Sequence, residues 1–193
     1  MRKLLKKYAE FVFVTAPHSP TLPVGETSND DNPRGWWFSR TEHHFKATDY
    51  SDLQIGFEAS LASIKDAIDQ QGPFDGIFGF SQGATIAAMI LALQSAQKFP
   101  GNFRFAIFIS GFLSRSSHHA FVKETKLSLP SLHVYGEADN IVNPDMSKEL
   151  VGLFQQPVVM THPGGHGIPT FTKDKAVIVN FVSQFLTDEE QRL

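Results

Sequence analysis

The sequence predicts an α/β fold: an open, mostly parallel sheet with helices on both faces. Short apolar runs rich in β-branched and aromatic residues recur along the chain. They are nearly continuous in apolar character rather than alternating, and segments of helical period lie between them. Strands buried on both faces read as unbroken apolar runs, and strands that alternate with helices form parallel sheets through crossover connections.

The elements follow in order. EFVFVTA (10–16) is the first predicted strand. Residues 17–51 carry proline, glycine, acidic and aromatic residues without period, and predict an irregular, lid-like loop. Leu53, Phe57, Leu61, Ile64 and Ile68 mark one face of a helix. FDGIFGF (74–80) is the next strand, and Ile86, Met89, Ile90 and Leu93 give the helix after it. FRFAIFIS (103–110) is a third strand, followed by a polar connection over 112–129 that includes RSSHH. SLHVYG (131–136) leads to a helix marked by Met146, Leu150 and Leu153, with Pro144 at its start. PVVMTH (157–162) is the last strand, and Ile178, Phe181, Val182 and Phe185 the last helix.

Bulk properties narrow the classes. The 193 residues predict one domain, 1–193. A net charge of −3 offers no electrostatic footprint for nucleic acid or an anionic membrane surface. The chain has no cysteine, which removes disulfides, thiolate zinc sites and cysteine nucleophiles. The basic start, MRKLLKK, precedes an apolar run that Glu10 interrupts and that is too short for a signal peptide. No stretch approaches the ~20 apolar residues of a membrane helix. The expectation is a soluble, cytoplasmic protein that inserts in no membrane and needs no cofactor or metal. The 18 phenylalanines predict an aromatic core, an apolar pocket, or both.

One motif carries chemistry. Gly79-Phe80-Ser81-Gln82-Gly83 fits G-x-S-x-G between a predicted strand and a predicted helix, the context of a nucleophile elbow. Glycines two positions either side leave room for a sharp turn. Ala84, Ala87 and Ala88 keep the helix slim against the sheet. The N–H of Gln82, at the positive end of that helix, points toward an oxyanion.

A serine hydroxyl needs a base, and the base needs an orienting acid. Asp139 lies just past the strand 131–136, and His166 lies in the glycine-rich loop after 157–162. All three candidates fall at strand C-terminal ends, where open α/β sheets place function. Glu137 competes with Asp139, which could instead cap the helix near 145. His162 competes with His166 but reads as a packed neighbour. The pairs His43-His44 and His118-His119 read as solvated surface, and His133 as core. Trp36 and Trp37 either pin the long loop or line a groove for an acyl chain.

GPFDGIFGFSQGA, LPSLHVYGEAD, HPGGHGIP, the APH after the first strand and NPRGWWFS together resemble the FSH family of serine hydrolases, over residues 2 to about 186. The resemblance implies an α/β-hydrolase cleaving carboxylic esters with medium or long alkyl or acyl chains. Its triad falls on Ser81, Asp139 and His166. Some members of the family hydrolyse acyl thioesters with the same triad.

The family also begins with a strand ending in a His-Gly or Ala-Gly turn, then a helix ending in a sequence like RKLLKK. Met1 falls inside that helix, so the resemblance implies that this chain lacks the strand. The gap would lie between 10–16 and 74–80, and the loop after the strand would have supplied the second oxyanion N–H. An incomplete gene reading, a shortened isoform and a gap closed by a partner each fit. A catalytically silent chain is therefore the alternative to an active esterase.

Overall fold

The computed structural model describes residues 1–21, 32–171 and 175–186. Four parallel strands form one sheet in sequence order: β1 (Gly76–Phe80), β2 (Phe105–Ile109), β3 (Ser131–Gly136) and β4 (Pro157–His162). A short helix α1 (Arg2–Leu5) opens the chain, and α2 (Phe57–Gln71) precedes the sheet. The crossovers carry α3 (Gln82–Ser95), then a 3₁₀ turn at Ser117–His119 with α4 (Phe121–Glu124), then α5 (Pro144–Val151). Helix α6 (Lys175–Ser183) follows β4.

Alternation along the strands divides the core into two layers. Ala106 and Phe108 pack with Ile64 of α2 and with Ala84, Ala87, Ala88 and Ile90 of α3. Ile107 and Ile109 face the other way, onto Leu5 of α1 and Ile178, Phe181 and Val182 of α6. Every residue of β3 is buried, as an interior parallel strand should be. His133, within β3, is 2 % exposed, lies between Phe108 and Phe154, and is held neutral by burial, its pKa lowered to about 3.

The predicted strand 10–16 does not form. Residues 10–16 carry no strand and no backbone hydrogen bond to any described residue, and Phe13 is 67 % exposed. The cause is the lack of a neighbour, since strand structure exists only in pairs. The nearest edge, that of β1, is separated from it by a cavity of about 810 Å³ that both line.

Two further expectations need adjustment. Helix α2 starts at Phe57, because Gly56 (φ 85°) takes a left-handed conformation just before it, so Leu53 stays outside. His119 is not on the surface: it is 1 % exposed, packed on Trp37 and Phe57 and hydrogen-bonded to Ser114. His118 is exposed, as expected, and bonds the carbonyl of Asp52. Of the lid-like loop 17–51, residues 22–31 lie outside the described residues; the rest is tied down by isolated bridges His18–Gly35, Phe38–Ile55 and Ser51–Ser116. Among the described residues no helix is long and apolar enough to cross a membrane, and no group of three His, Asp or Glu side chains stands ready for a metal ion.

Candidate active site

The chain turns sharply at Ser81. Its φ of 52° and ψ of −121° lie outside the regions that non-glycine residues favour. The turn is held by Ser81 N–H donating to Ile109 O at 2.9 Å and by Ala84 N–H donating to Ser81 O at 3.0 Å. Gly79 is required by close approach: a Cβ there would collide with the Gly83 carbonyl and the backbone of Ala84. Gly83 differs, since a Cβ there would meet only the Trp36 indole, at 3.4 Å. The expected need for glycine at both positions therefore holds through backbone crowding at Gly79 alone.

Gln82 is the first residue of α3, so its backbone N–H is among those a helix leaves without an intrahelical acceptor. Its side chain does something the sequence did not announce. Oε1 accepts from Trp36 N–H at 2.7 Å, and Nε2 donates to Trp37 O at 2.8 Å. The long loop is thus clamped to the elbow. Ser60 of α2 donates its hydroxyl to Trp36 O and adds a third tie. The two tryptophans divide between the two readings given for them. Trp37 is 1 % exposed and packs edge-on against Phe45, Phe57 and His119, so it pins the loop and presents no surface to a substrate. Trp36 is half-buried and borders the cavity beside Gly83.

Ser81, His166 and Asp139 come together. His166 Nε2 lies 3.0 Å from Ser81 Oγ, and His166 Nδ1 lies 2.8 Å from Asp139 Oδ2. The ring of Phe80 packs on the imidazole at 4.9 Å between centroids. The loops after β3 and β4 cross where Gly136 has no side chain; a Cβ there would collide with the Gly164 carbonyl. Glu137 N–H to His162 O (2.7 Å) and Ala138 N–H to Gly164 O (3.2 Å) lock the crossing. Nothing in the sequence pattern marked Gly136, which reads simply as a strand end.

The Asp139 carboxylate is fully buried. Its Oδ1 accepts from Ile141 N–H (2.9 Å) and Val142 N–H (2.8 Å), while Oδ2 faces the imidazole. Burial is the largest single influence on its pKa and pushes it up. The N–H of Val142, the bond to His166 and the N–H of Ile141 together outweigh burial and hold the carboxyl below its ordinary value. Asp139 is therefore an anion facing the ring. It does not cap α5; that role falls to Asn143, whose side chain accepts from Asp145 and Met146 N–H. Glu137 instead accepts from the Thr161 hydroxyl at 2.9 Å. His162 accepts from Gly164 N–H at 3.2 Å and stabilises the turn that presents His166.

A hydroxyl, an imidazole and a buried carboxylate in hydrogen-bonded series, at the rim of a parallel sheet and the head of a helix, is an arrangement competent for acyl transfer. Comparison with known proteins agrees with the architecture. Among solved structures, an acyl-protein thioesterase 2 of Zea mays is similar in fold, with a TM-score of 0.57 and 21% identity over 87% of this chain and 79% of that one. SOBER1 of Arabidopsis thaliana superposes with a TM-score of 0.56 and 18% identity, covering 94% of this chain and 89% of that one. Sequence relatives are nearer. The protein named Esterase OVCA2 in Danio rerio is 38% identical over 96% of this chain and 88% of its own length. Its namesake in Xenopus tropicalis is 40% identical over 97% and 84%. Residues 1–178 match the family described as serine hydrolase (FSH1). With that span of match and these relatives, the chain belongs to the serine hydrolase (FSH1) family.

Proposed function

We propose that this chain, as one α/β-hydrolase domain, hydrolyses carboxylic esters through an acyl-enzyme on Ser81. His166 Nε2 takes the hydroxyl proton as Ser81 Oγ attacks the ester carbonyl. Asp139 holds the ring with Nδ1–H toward itself and stabilises the imidazolium that forms. The backbone N–H of Gln82 donates to the developing oxyanion, aided by the positive end of α3. His166 then returns the proton to the departing alcohol. In a second round it activates water, which releases the acid and frees Ser81. The observation that carries this reading is the unbroken series of bonds from Ser81 Oγ through His166 to Asp139, at 3.0 and 2.8 Å.

We assign the substrate a medium or long apolar chain. Phe80 lies against His166, and the exposed side chains of Ile141 and Ile168 stand two residues from Asp139 and His166. Trp36 is the tryptophan able to touch such a chain. A cysteine-free composition suits a cytoplasmic enzyme. An acyl thioester is the second reading, since the maize neighbour is named an acyl-protein thioesterase and the same nucleophile serves both bonds. Matched oxygen and sulfur esters of one acyl chain decide between them by kcat/KM.

The test is covalent labelling by a fluorophosphonate. The wild-type chain labels and Ser81→Ala does not; undiminished labelling of Ser81→Ala removes Ser81 from the mechanism. Labelling without ester or thioester turnover favours the catalytically silent alternative.

A further inference from the structure

The imidazole of His166 is engaged at both of its nitrogens. Nδ1 faces Asp139 Oδ2 at 2.8 Å and Nε2 faces Ser81 Oγ at 3.0 Å. Both contacts lie at the ring's edge and leave its two faces to other neighbours. The side chain is 15 % exposed, so water covers little of those faces. Phe80 covers one of them. The two ring centroids stand 4.9 Å apart, with the planes at 38°. That angle is too shallow for an edge-on contact, so the rings meet face to face, offset and tilted. Phe80 ends β1 and pairs in register with Ile109 of β2. Its ring also packs against the layer that holds Ile109 and Val182. The aromatic face is thus fixed against the imidazole by the strand that carries it.

The charge on the imidazole decides what this contact does. A phenyl face carries partial negative charge and attracts a cation within about 6 Å of its centroid, most strongly where water is excluded. Neutral imidazole gains little from such a face, and imidazolium gains more. His166 becomes imidazolium as it takes the Ser81 proton, so the attraction grows during the attack. An interaction stronger in the transition state than in the ground state raises the rate of the chemical step. Asp139 acts on that charge from the Nδ1 edge, and Phe80 acts on it from the face. We propose that Phe80 is an electrostatic partner of the base: its ring face stabilises protonated His166 and speeds acylation of Ser81. The inference rests on the acyl-enzyme reading and gives the residue before Ser81 a part in it.

Phenylalanines carrying one, two and three fluorines at position 80 test it. Fluorine nearly preserves the shape of the ring and withdraws negative charge from its face. The readout is fluorophosphonate labelling of Ser81, followed as a saturating rate and a half-saturating concentration. That reaction uses the same proton transfer to His166 and needs no ester turnover. The saturating rate should fall stepwise, by about twofold per fluorine, with the half-saturating concentration and the urea midpoint unchanged. Phe80→Leu, which fills space without an aromatic face, should lose about tenfold in the same rate. Should Phe80→Leu not fold, the fluorinated series alone decides. A flat series overturns the proposal. So does a series that moves only the half-saturating concentration, which would make Phe80 a contact for the probe. A wild-type chain that does not label overturns the acyl-enzyme reading and this inference together, whereas labelling with a flat series overturns this inference alone.

Discussion

Replacing Asp139 by Asn separates the acid's chemical role from its structural one. The change is isosteric, and Oδ1 retains the bonds from Ile141 and Val142 N–H. Only the atom facing the imidazole alters: an amide NH₂ now stands 2.8 Å from His166 Nδ1, where an anionic acceptor stood. Two donors cannot face each other, so the ring must shift its proton to Nε2. That puts an N–H against Ser81 Oγ, where a lone pair was needed. Loss of the correct tautomer costs about 10⁴ in kcat, equivalent to roughly 5 kcal/mol of barrier. The folded state loses one hydrogen bond to a charged group, about 1.5–3 kcal/mol. Asp139→Ala differs, because it also strands the two N–H groups at about 1–3 kcal/mol each. The assay is kcat/KM on a chromogenic ester, with urea unfolding of each variant alongside. Asp139→Asn should be nearly inactive yet folded, and Asp139→Ala inactive and markedly less stable. If Asp139→Asn stays within tenfold of wild type, the acid does not orient the base and the proposed mechanism fails. Glu137→Gln, which alters only the contact with Thr161, should leave turnover within about twofold.

Three further outcomes follow from the packing and the titrations. Gly79→Ala should lower the unfolding free energy by about 1–3 kcal/mol, typical of overpacking, and the urea midpoint with it, because its methyl meets the Gly83 carbonyl; an unchanged midpoint would mean that the elbow yields. Gln82→Met keeps the backbone donor but strands Trp36 N–H and Trp37 O, so stability should fall by about 1–3 kcal/mol per unpaired group while fluorophosphonate labelling persists. Acid should destabilise the fold through His119 and His133, whose pKa values burial lowers from 6.5 to about 4 and about 3. Between those values and 6.5 the unfolded chain binds more protons, so stability is full above pH 6.5 and declines as the pH drops. From pH 6.5 to 5 the loss should be about 1.5 kcal/mol per histidine. Asp139, with its pKa held low, adds to the decline only further down, as the pH falls through the carboxylate range. His133→Asn should flatten about half of the slope in a urea series, and an unchanged slope would assign the acid sensitivity elsewhere.

What the sequence announced and what it withheld have physical causes. The four strands of the sheet were legible as nearly continuous apolar runs, of the kind that burial on both faces forces in β3, and each lies within its predicted segment. EFVFVTA has the same composition yet stays unpaired. Propensity describes what a segment would do beside a neighbour, and only the topology says whether the neighbour exists. The positions of Ser81, Asp139 and His166 were legible because each sits at a strand terminus. The means of bringing them together was not: the crossing at Gly136 and the Gln82 clamp are contacts between distant residues with no local signature. His119 was misread for a related reason, since a polar neighbourhood in sequence says nothing of the Trp37 and Phe57 rings that enclose it.

The Gln82 clamp has a mechanical corollary. Because one amide side chain grips the backbone on both sides of the Trp36–Trp37 peptide link, that stretch travels with the serine as a single rigid piece and cannot swing aside to admit a bulky guest. Whatever breathing the entrance allows must come from the outer part of the connection, around the surface pair Arg40–Asp49 and the solvent-facing Tyr50. Attempts to widen or redirect selectivity are better aimed there than at the tryptophans, where any gain in room would be bought with disorder at Ser81 itself.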